Sequence, residues 1–165
     1  MLKSIYRFLS PKFQNIFLDY KVDMRPRYGH GLPAHKGLYE IINAHRSDYE
    51  LILKEALKYK EQFWIIKDSS IEKDSIKPAW NNGFLPGLDI IAIYAILSKY
   101  KPSKYIEIGS GNSTKVAYKA KKELGLTTKI ISIDPMPRAE IDSLADEVHR
   151  KPFENLDFDI VDLLE

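Results

Sequence analysis

The segment YIEIGSGNST, residues 105–114, contains the most informative pattern in the chain. Its first four residues, 105–108, form a short apolar run that predicts a β-strand. The glycine and polar residues after it lead into a helix predicted over 113–124, which Gly125 would end. A second apolar strand is predicted at 129–133. Because strands that alternate with helices form parallel sheets, this half of the chain predicts an α/β fold.

The segments on either side of this half extend the same alternation of helices and strands. A helix from residue 90 to about 100 is predicted before the first strand, with Asp89 as its N-cap. After the second strand we expect a helix from about Ala139 to Asp146 and a third short strand at Glu147–Lys151. The expected fold is a Rossmann-like doubly wound parallel sheet of about three strands, occupying residues 78–165.

Residues 1–77 predict a mostly helical region with loops. An amphipathic helix is expected over the first nine residues, its apolar face packed on the rest of the protein or, alternatively, lying on a membrane surface. Prolines and glycines make residues 12–37 irregular. A helical pattern then runs from residue 38 to about 59 with a break near Arg46, and 67–77 is a polar loop.

Gly109 and Gly111 follow the first strand, at the edge of a parallel sheet where ligands bind. Glycine there permits a tight turn and lets a ligand lie against the backbone. Asn112 and Ser113 lead into the next helix, whose first amide groups are free to donate hydrogen bonds. Asp134, after the second strand, can accept hydrogen bonds from both hydroxyls of a ribose. These residues predict a nucleoside-binding site.

The glycine-rich turn is compatible with two kinds of cofactor site, because dinucleotide sites also use such a turn, with the pattern G-x-G-x-x-G. Here Thr114 takes the place of the third glycine and would hinder the close packing of strand and helix that this glycine permits. Glu107, inside the strand, would repel a pyrophosphate and attract an ammonium group. Asp134 serves either kind of cofactor.

The segment EIGSGNST, residues 107–114, with Asp134 at its spacing, resembles the first motif of class I S-adenosylmethionine-dependent methyltransferases. The resemblance implies that Glu107 faces the methionine moiety, directly or through water, and that Asp134 holds the ribose. It further implies that the cofactor lies in a cradle formed by Gly109, Ser110, Gly111, Asn112 and Ser113. The motif covers about 30 residues. Looser similarity, including the lead-in PGLD at 86–89, runs from Pro78 to the end, and residues 1–77 lie outside it.

What the resemblance implies is an enzyme that binds S-adenosyl-L-methionine and transfers its methyl group to a small molecule, a sugar or a protein side chain. No catalytic residue can be assigned from the sequence. Two alternatives stay open: an NAD-dependent oxidoreductase on the same sheet, and a non-catalytic fragment or interaction module that retains the nucleoside-binding fold.

The composition of the chain excludes several classes of partner and binding site. A formal charge of +2 favours neither nucleic acid nor an anionic polymer, so no nucleic-acid partner is expected. The absence of cysteine excludes thiolate metal sites and fits a cytoplasmic location. The longest apolar run, 90–97, is too short to span a bilayer. The four histidines are scattered, and no metal site is predicted.

The expected family usually has seven strands, with the first in the middle of the sheet. Too few residues follow Asp134 for four more strands, so we expect a chain that is C-terminally incomplete relative to that family. The strand at 105–108 would then lie at an edge of the sheet. Because exposed edges recruit other strands, self-association as a homo-oligomer, or cover by the N-terminal helices, is expected there.

Overall fold

The computed structural model describes residues 2–13, 15–29, 31–137 and 140–156. The chain divides into two compact units, residues 1–44 and 45–165. The first unit contains helix α1 (Leu2–Leu9) and helix α2 (Lys36–Ala44), joined by an irregular segment. This confirms the short first helix and the irregular stretch that the prolines and glycines predicted.

The second unit is a mixed α/β structure. Its helices and strands, in chain order, are α3 (Arg46–Leu57), α4 (Lys60–Trp64), α5 (Gly87–Tyr100), β1 (Lys104–Ile108), α6 (Asn112–Leu124), β2 (Lys129–Ile133) and β3 (Glu147–His149). Two 3-10 turns follow β2 and β3, at Asp142–Leu144 and Phe153–Asn155. The break between α2 and α3 lies at His45, next to the predicted position. Residues 45–77 belong to the same compact unit as the sheet, and the domain boundary expected at 77/78 stays a prediction.

The three strands form one parallel sheet in the order β1-β2-β3. Tyr105 pairs with Ile130 and Ile108 with Ile133, while Ile131 pairs with Glu147. The sheet confirms the predicted parallel arrangement of about three strands. Within the residues that the structure describes, β1 pairs on one side only, so it lies at an edge as expected. Self-association through that edge stays a prediction.

The core is one cluster of buried side chains from α5, α6 and β2, joined by Ala56 of α3 and Phe63 of α4. Helix α3 packs on α5, and α6 packs on β2 and on α5. Ala95 and Ala120 are fully buried, and their small side chains let the two helices approach closely. Tyr94 is buried among them and donates from its hydroxyl to Glu123 Oε2 at 3.0 Å. Helix α6 ends at Gly125, which takes the left-handed conformation with φ +61°. The contacts of Tyr94 and the two alanines fix the position of α6 relative to α5.

Two predicted helix boundaries are wrong. Helix α5 begins at Gly87 with Pro86 as its N-cap, so Asp89 lies in the first turn, where its charge favours the helix dipole. The helix expected from Ala139 to Asp146 is a 3-10 turn at Asp142–Leu144; Ala139 itself lies outside the described residues. Ile141 and Leu144 are both buried there, and their three-residue spacing suits a 3-10 turn better than a longer helix.

None of the helices in the described parts of the chain is long and apolar enough to cross a membrane.

Candidate functional site

A cleft of about 670 Å³ lies at the carboxyl ends of β1 and β2. One wall is the turn after β1 with the start of α6, and Asp134 and Met136 after β2 contribute to it. The other wall comes from residues 69–85. Six of the seven predicted binding residues line this cleft: Gly109, Ser110, Gly111, Asn112, Ser113 and Asp134.

The two glycines of the turn have different physical roles. Gly109 has φ +83°, a conformation that L side chains rarely adopt, and its N–H donates to Ile133 O at 2.9 Å. Gly111 has φ 164°, which is extended backbone open to any residue. A Cβ added at Gly111 would meet no atom within 4 Å. The chain therefore needs glycine at 109 for its own backbone, whereas at 111 glycine leaves space in the cleft.

Asp134 ties the turns after β1 and β2 together. Its Oδ2 accepts the Ser110 N–H at 2.8 Å, and its Oδ1 accepts the Met136 N–H at 2.8 Å. Arg150 Nη1 donates to the Asp134 carbonyl oxygen at 2.9 Å. A carboxylate has about four acceptor positions, so the half-buried side chain retains capacity for a ligand hydroxyl.

Glu107, the seventh predicted residue, is only 7% exposed and does not line the cleft. Its Oε2 accepts hydrogen bonds from Ser113 Oγ at 2.8 Å and from the Tyr105 hydroxyl at 3.4 Å. Its Oε1 accepts a hydrogen bond from Thr114 Oγ1. Ser113 does line the cleft. The carboxylate therefore lies behind the Ser113 hydroxyl, which separates it from a ligand.

Thr114 shows how the chain accommodates a side chain where the dinucleotide pattern has glycine. The residue is fully buried in the first turn of α6 and contacts Glu107 of β1. Its hydroxyl donates to Glu107 and accepts the Gly111 N–H at 3.0 Å. One hydroxyl thus satisfies a strand carboxylate and a free amide at the helix start. The sequence predicted that Thr114 would hinder close packing of strand and helix. In the structure, its two hydrogen bonds instead connect β1 to the start of α6.

Burial raises the pKa of Glu107 above its ordinary value. The hydrogen bonds from Thr114, Ser113 and Tyr105 oppose that rise, and the nearby charge of Asp134 adds to it. Burial, with a further contribution from the Glu107 charge, likewise raises the pKa of the Tyr105 hydroxyl. Glu107, Tyr105, Ser113 and Thr114 therefore form a desolvated hydrogen-bonded cluster whose charge depends on pH.

The wall formed by residues 69–85 was not predicted as part of the site. Asn82 organises it: its Nδ2 donates to the carbonyls of Ala79 and Leu85, and its Oδ1 accepts the N–H groups of Phe84 and Leu85. Asn82 Oδ1 also accepts from Asn112 Nδ2 at 3.0 Å. This contact joins the two walls. The turn-forming run of asparagine and glycine at 81–83 was the available sequence signal.

Asp68 anchors the same wall at its base. Its Oδ1 accepts the backbone N–H of Ser70 at 2.9 Å and the Ser70 hydroxyl, and its Oδ2 accepts from Asn81 Nδ2 at 2.7 Å. These bonds hold the pKa of Asp68 below its ordinary value. The predicted loop at 67–77 is therefore tied to the segment before α5, and its polar residues face the cleft.

Charges of both signs line the cleft. The cationic residues are Lys73, Lys77 and Lys115, and the anionic ones are Glu72, Asp74 and Asp134. The carboxylates accept backbone amides of their own loops, as Glu72 does from Asp74 N–H at 2.9 Å. Within the described residues, no group of three or more His, Cys, Asp or Glu side chains could hold a metal ion.

No protein-family model, curated protein or solved structure matches the chain. The resemblance to methyltransferases therefore depends on the motif residues and on where the fold places them. Chemically, the cleft offers a side-chain-free position at Gly111, a carboxylate with remaining acceptor capacity at Asp134, and the hydroxyl oxygens of Ser110 and Ser113, whose protons are donated to Asp134 and Glu107.

Proposed function

We propose that the chain binds S-adenosyl-L-methionine in this cleft and acts as a class I methyltransferase with a partial Rossmann-like sheet. The observation that carries the proposal is the convergence of Gly109 to Ser113 and Asp134 on one cleft beyond the carboxyl ends of β1 and β2. In open α/β sheets, ligands bind in this crevice. The motif was identified from sequence spacing alone, so its assembly around a cavity is an independent argument for a binding role.

The lining chemistry fits an adenosyl amino acid. Asp134 has acceptor capacity for ribose hydroxyls. Gly111 leaves room for a ligand to approach the backbone, since a Cβ there would enter open space. The methionine moiety carries both an ammonium and a carboxylate, and charges of both signs line the cleft. Glu107 would act on the ammonium through the Ser113 hydroxyl and electrostatically, because Ser113 lies between Glu107 and the cleft.

The cofactor would supply an electrophilic methyl group, and the protein would hold donor and acceptor in line while excluding water. The exposed mouth of the cleft, beside Phe84 and Met136, is the place where an acceptor would approach. That acceptor is a small molecule, a sugar or a protein side chain, and no catalytic residue is assigned. A cytoplasmic location fits this chemistry and the absence of cysteine.

Thermal unfolding with S-adenosylhomocysteine tests the proposal, with NAD as the matched control. Ligand at a hundredfold excess over its Kd stabilises the native state by about 2.7 kcal/mol, which corresponds to a rise in Tm of roughly 5–10 °C. A comparable rise with NAD alone would favour the oxidoreductase alternative. No rise with either ligand at millimolar concentration would favour the non-catalytic module.

A further inference from the structure

Helix α1 is sharply two-sided. At about 100° per residue, its apolar side chains Ile5, Tyr6, Phe8 and Leu9 fall within an arc of about 160°, and Lys3 and Arg7 fall on the opposite side. The four apolar side chains are 50–72% exposed. This face is therefore open to solvent within its own unit, residues 1–44, and the expectation that it packs on the rest of the protein stays a prediction.

The residues after α1 extend its apolar surface. The ring of Phe13 meets that of Tyr6 edge to face at 6.1 Å, and Phe17 meets Phe8 at 6.0 Å. Asn15 Nδ2 donates to the Phe8 carbonyl oxygen at 3.2 Å. This hydrogen bond holds the residues after α1 close to the end of the helix. The aromatic pairs form a preassembled cluster that is still largely open to solvent, with Phe17 76% exposed.

The charge of the same segment has one sign. Residues 2–17 contain Lys3, Arg7 and Lys12, and the first acidic residue along the chain is Asp19. All three cations are exposed, and Arg7 lies over the Phe13 ring with 5.9 Å between its Cζ and the ring centroid. Two copies of this surface brought together would place like charges side by side. A negatively charged surface with an apolar interior suits both its charge and its aromatic groups.

We propose that residues 2–17, the basic aromatic segment, bind the surface of an anionic lipid bilayer. Amphipathic helices with Lys or Arg on one side and Phe or Leu on the other lie in the plane of the membrane interface. The long side chains of Lys3 and Arg7 reach the headgroups while Ile5, Phe8 and Leu9 enter the acyl boundary. The segment thus combines the apolar and basic contributions that stable surface binding requires. This inference is independent of the function proposed for the cleft.

The test is co-sedimentation of the full chain with phosphatidylcholine vesicles, prepared with and without phosphatidylserine. We expect binding that requires phosphatidylserine and weakens with salt, because surface charges are screened within a Debye length. Lys3→Glu with Arg7→Glu, and separately Phe8→Asp with Leu9→Asp, should each reduce binding at least tenfold. Lys60→Glu with Lys99→Glu makes the same change in net charge elsewhere and should leave binding unchanged. Leu57→Asp, at an exposed apolar residue outside the segment, is the apolar control and should also leave binding unchanged.

Loss of binding only in the α1 variants, with unchanged circular dichroism, would support the proposal. Equal binding to both kinds of vesicle, or equal binding by all the variants, would overturn it. A chain that ignores vesicles but forms a dimer by light scattering, lost in Phe8→Asp with Leu9→Asp, would show that a second copy covers this surface and would also overturn it.

Discussion

Replacing Thr114 with valine tests the link between β1 and α6. Valine keeps the shape of the side chain but removes its hydroxyl. Two hydrogen bonds are lost, the one donated to Glu107 and the one accepted from the Gly111 N–H. A bond to a charged group contributes about 1.5–3 kcal/mol and a neutral one about 0.5–1.5 kcal/mol. We therefore expect the free energy of unfolding to fall by about 2–4 kcal/mol, since the site is fully buried.

The loss should depend on pH. The Thr114 hydroxyl lowers the pKa of Glu107, so Thr114→Val raises that pKa further above its ordinary value. The folded variant then holds its proton to higher pH, and its free energy of unfolding keeps falling over a wider pH range. The deficit relative to the unmodified chain should consequently be smaller at acid pH, where Glu107 is protonated, than at neutral pH.

Urea unfolding followed by circular dichroism measures both quantities. The matched control is Thr127→Val, the same substitution at an exposed position, where surface changes usually stay within about 0.5 kcal/mol. If Thr114→Val and Thr127→Val unfolded at the same urea concentration at neutral pH, the hydroxyl would not hold strand and helix together.

Three further predictions concern the cleft and its supports. Asp134→Asn should weaken S-adenosylhomocysteine binding about tenfold to a hundredfold by calorimetry, from the loss of a charge-assisted hydrogen bond; unchanged affinity would remove Asp134 from the ribose site. Between its ordinary pKa of about 4.5 and its raised folded-state pKa, Glu107 holds its proton only in the folded chain, so the free energy of unfolding should fall as pH rises. Glu107→Gln should abolish this fall; a slope that persists in urea titrations of the variant would assign the fall to another group. Asn82→Ala should lower the free energy of unfolding by about 1–3 kcal/mol in the same titrations, whereas the exposed Asn155→Ala should not; equal stability of the two would show that Asn82 does not hold the wall.

The sheet could be predicted because its signals are local. Strand β2 has its predicted bounds, and β1 and α6 each begin one residue before the predicted start. Apolar runs, the glycine turn and Gly125 specify these elements within a few residues of sequence. The segment after β2 was mispredicted because a hydrophobic pattern at 141–144 does not distinguish a short 3-10 turn from the start of a helix. Tertiary burial of Ile141 decides it.

The site was predictable on one wall only. The Gly109 to Ser113 turn and Asp134 have a recognisable spacing, and the fold brings them together. The facing wall, with Asn82 at its centre, depends on contacts across 30 residues, as in the bond to Asn112. No spacing within the loop specifies such a contact. The position of Glu107 behind Ser113 and Thr114 could not be predicted either, because the sequence does not show which side chains its carboxylate contacts.

We propose that the cleft holds an adenosyl amino acid against the backbone of the turn. Calorimetric titration of S-adenosylhomocysteine into the unmodified chain and into Gly111→Val tests it most directly, because a Cβ at Gly111 meets nothing within 4 Å and should not disturb the ligand-free fold. We predict saturable binding to the unmodified chain, at least a tenfold weaker affinity for Gly111→Val, and equal melting temperatures of the two without ligand. Equal affinities would place the ligand elsewhere, and no heat from the unmodified chain would contradict the claim outright.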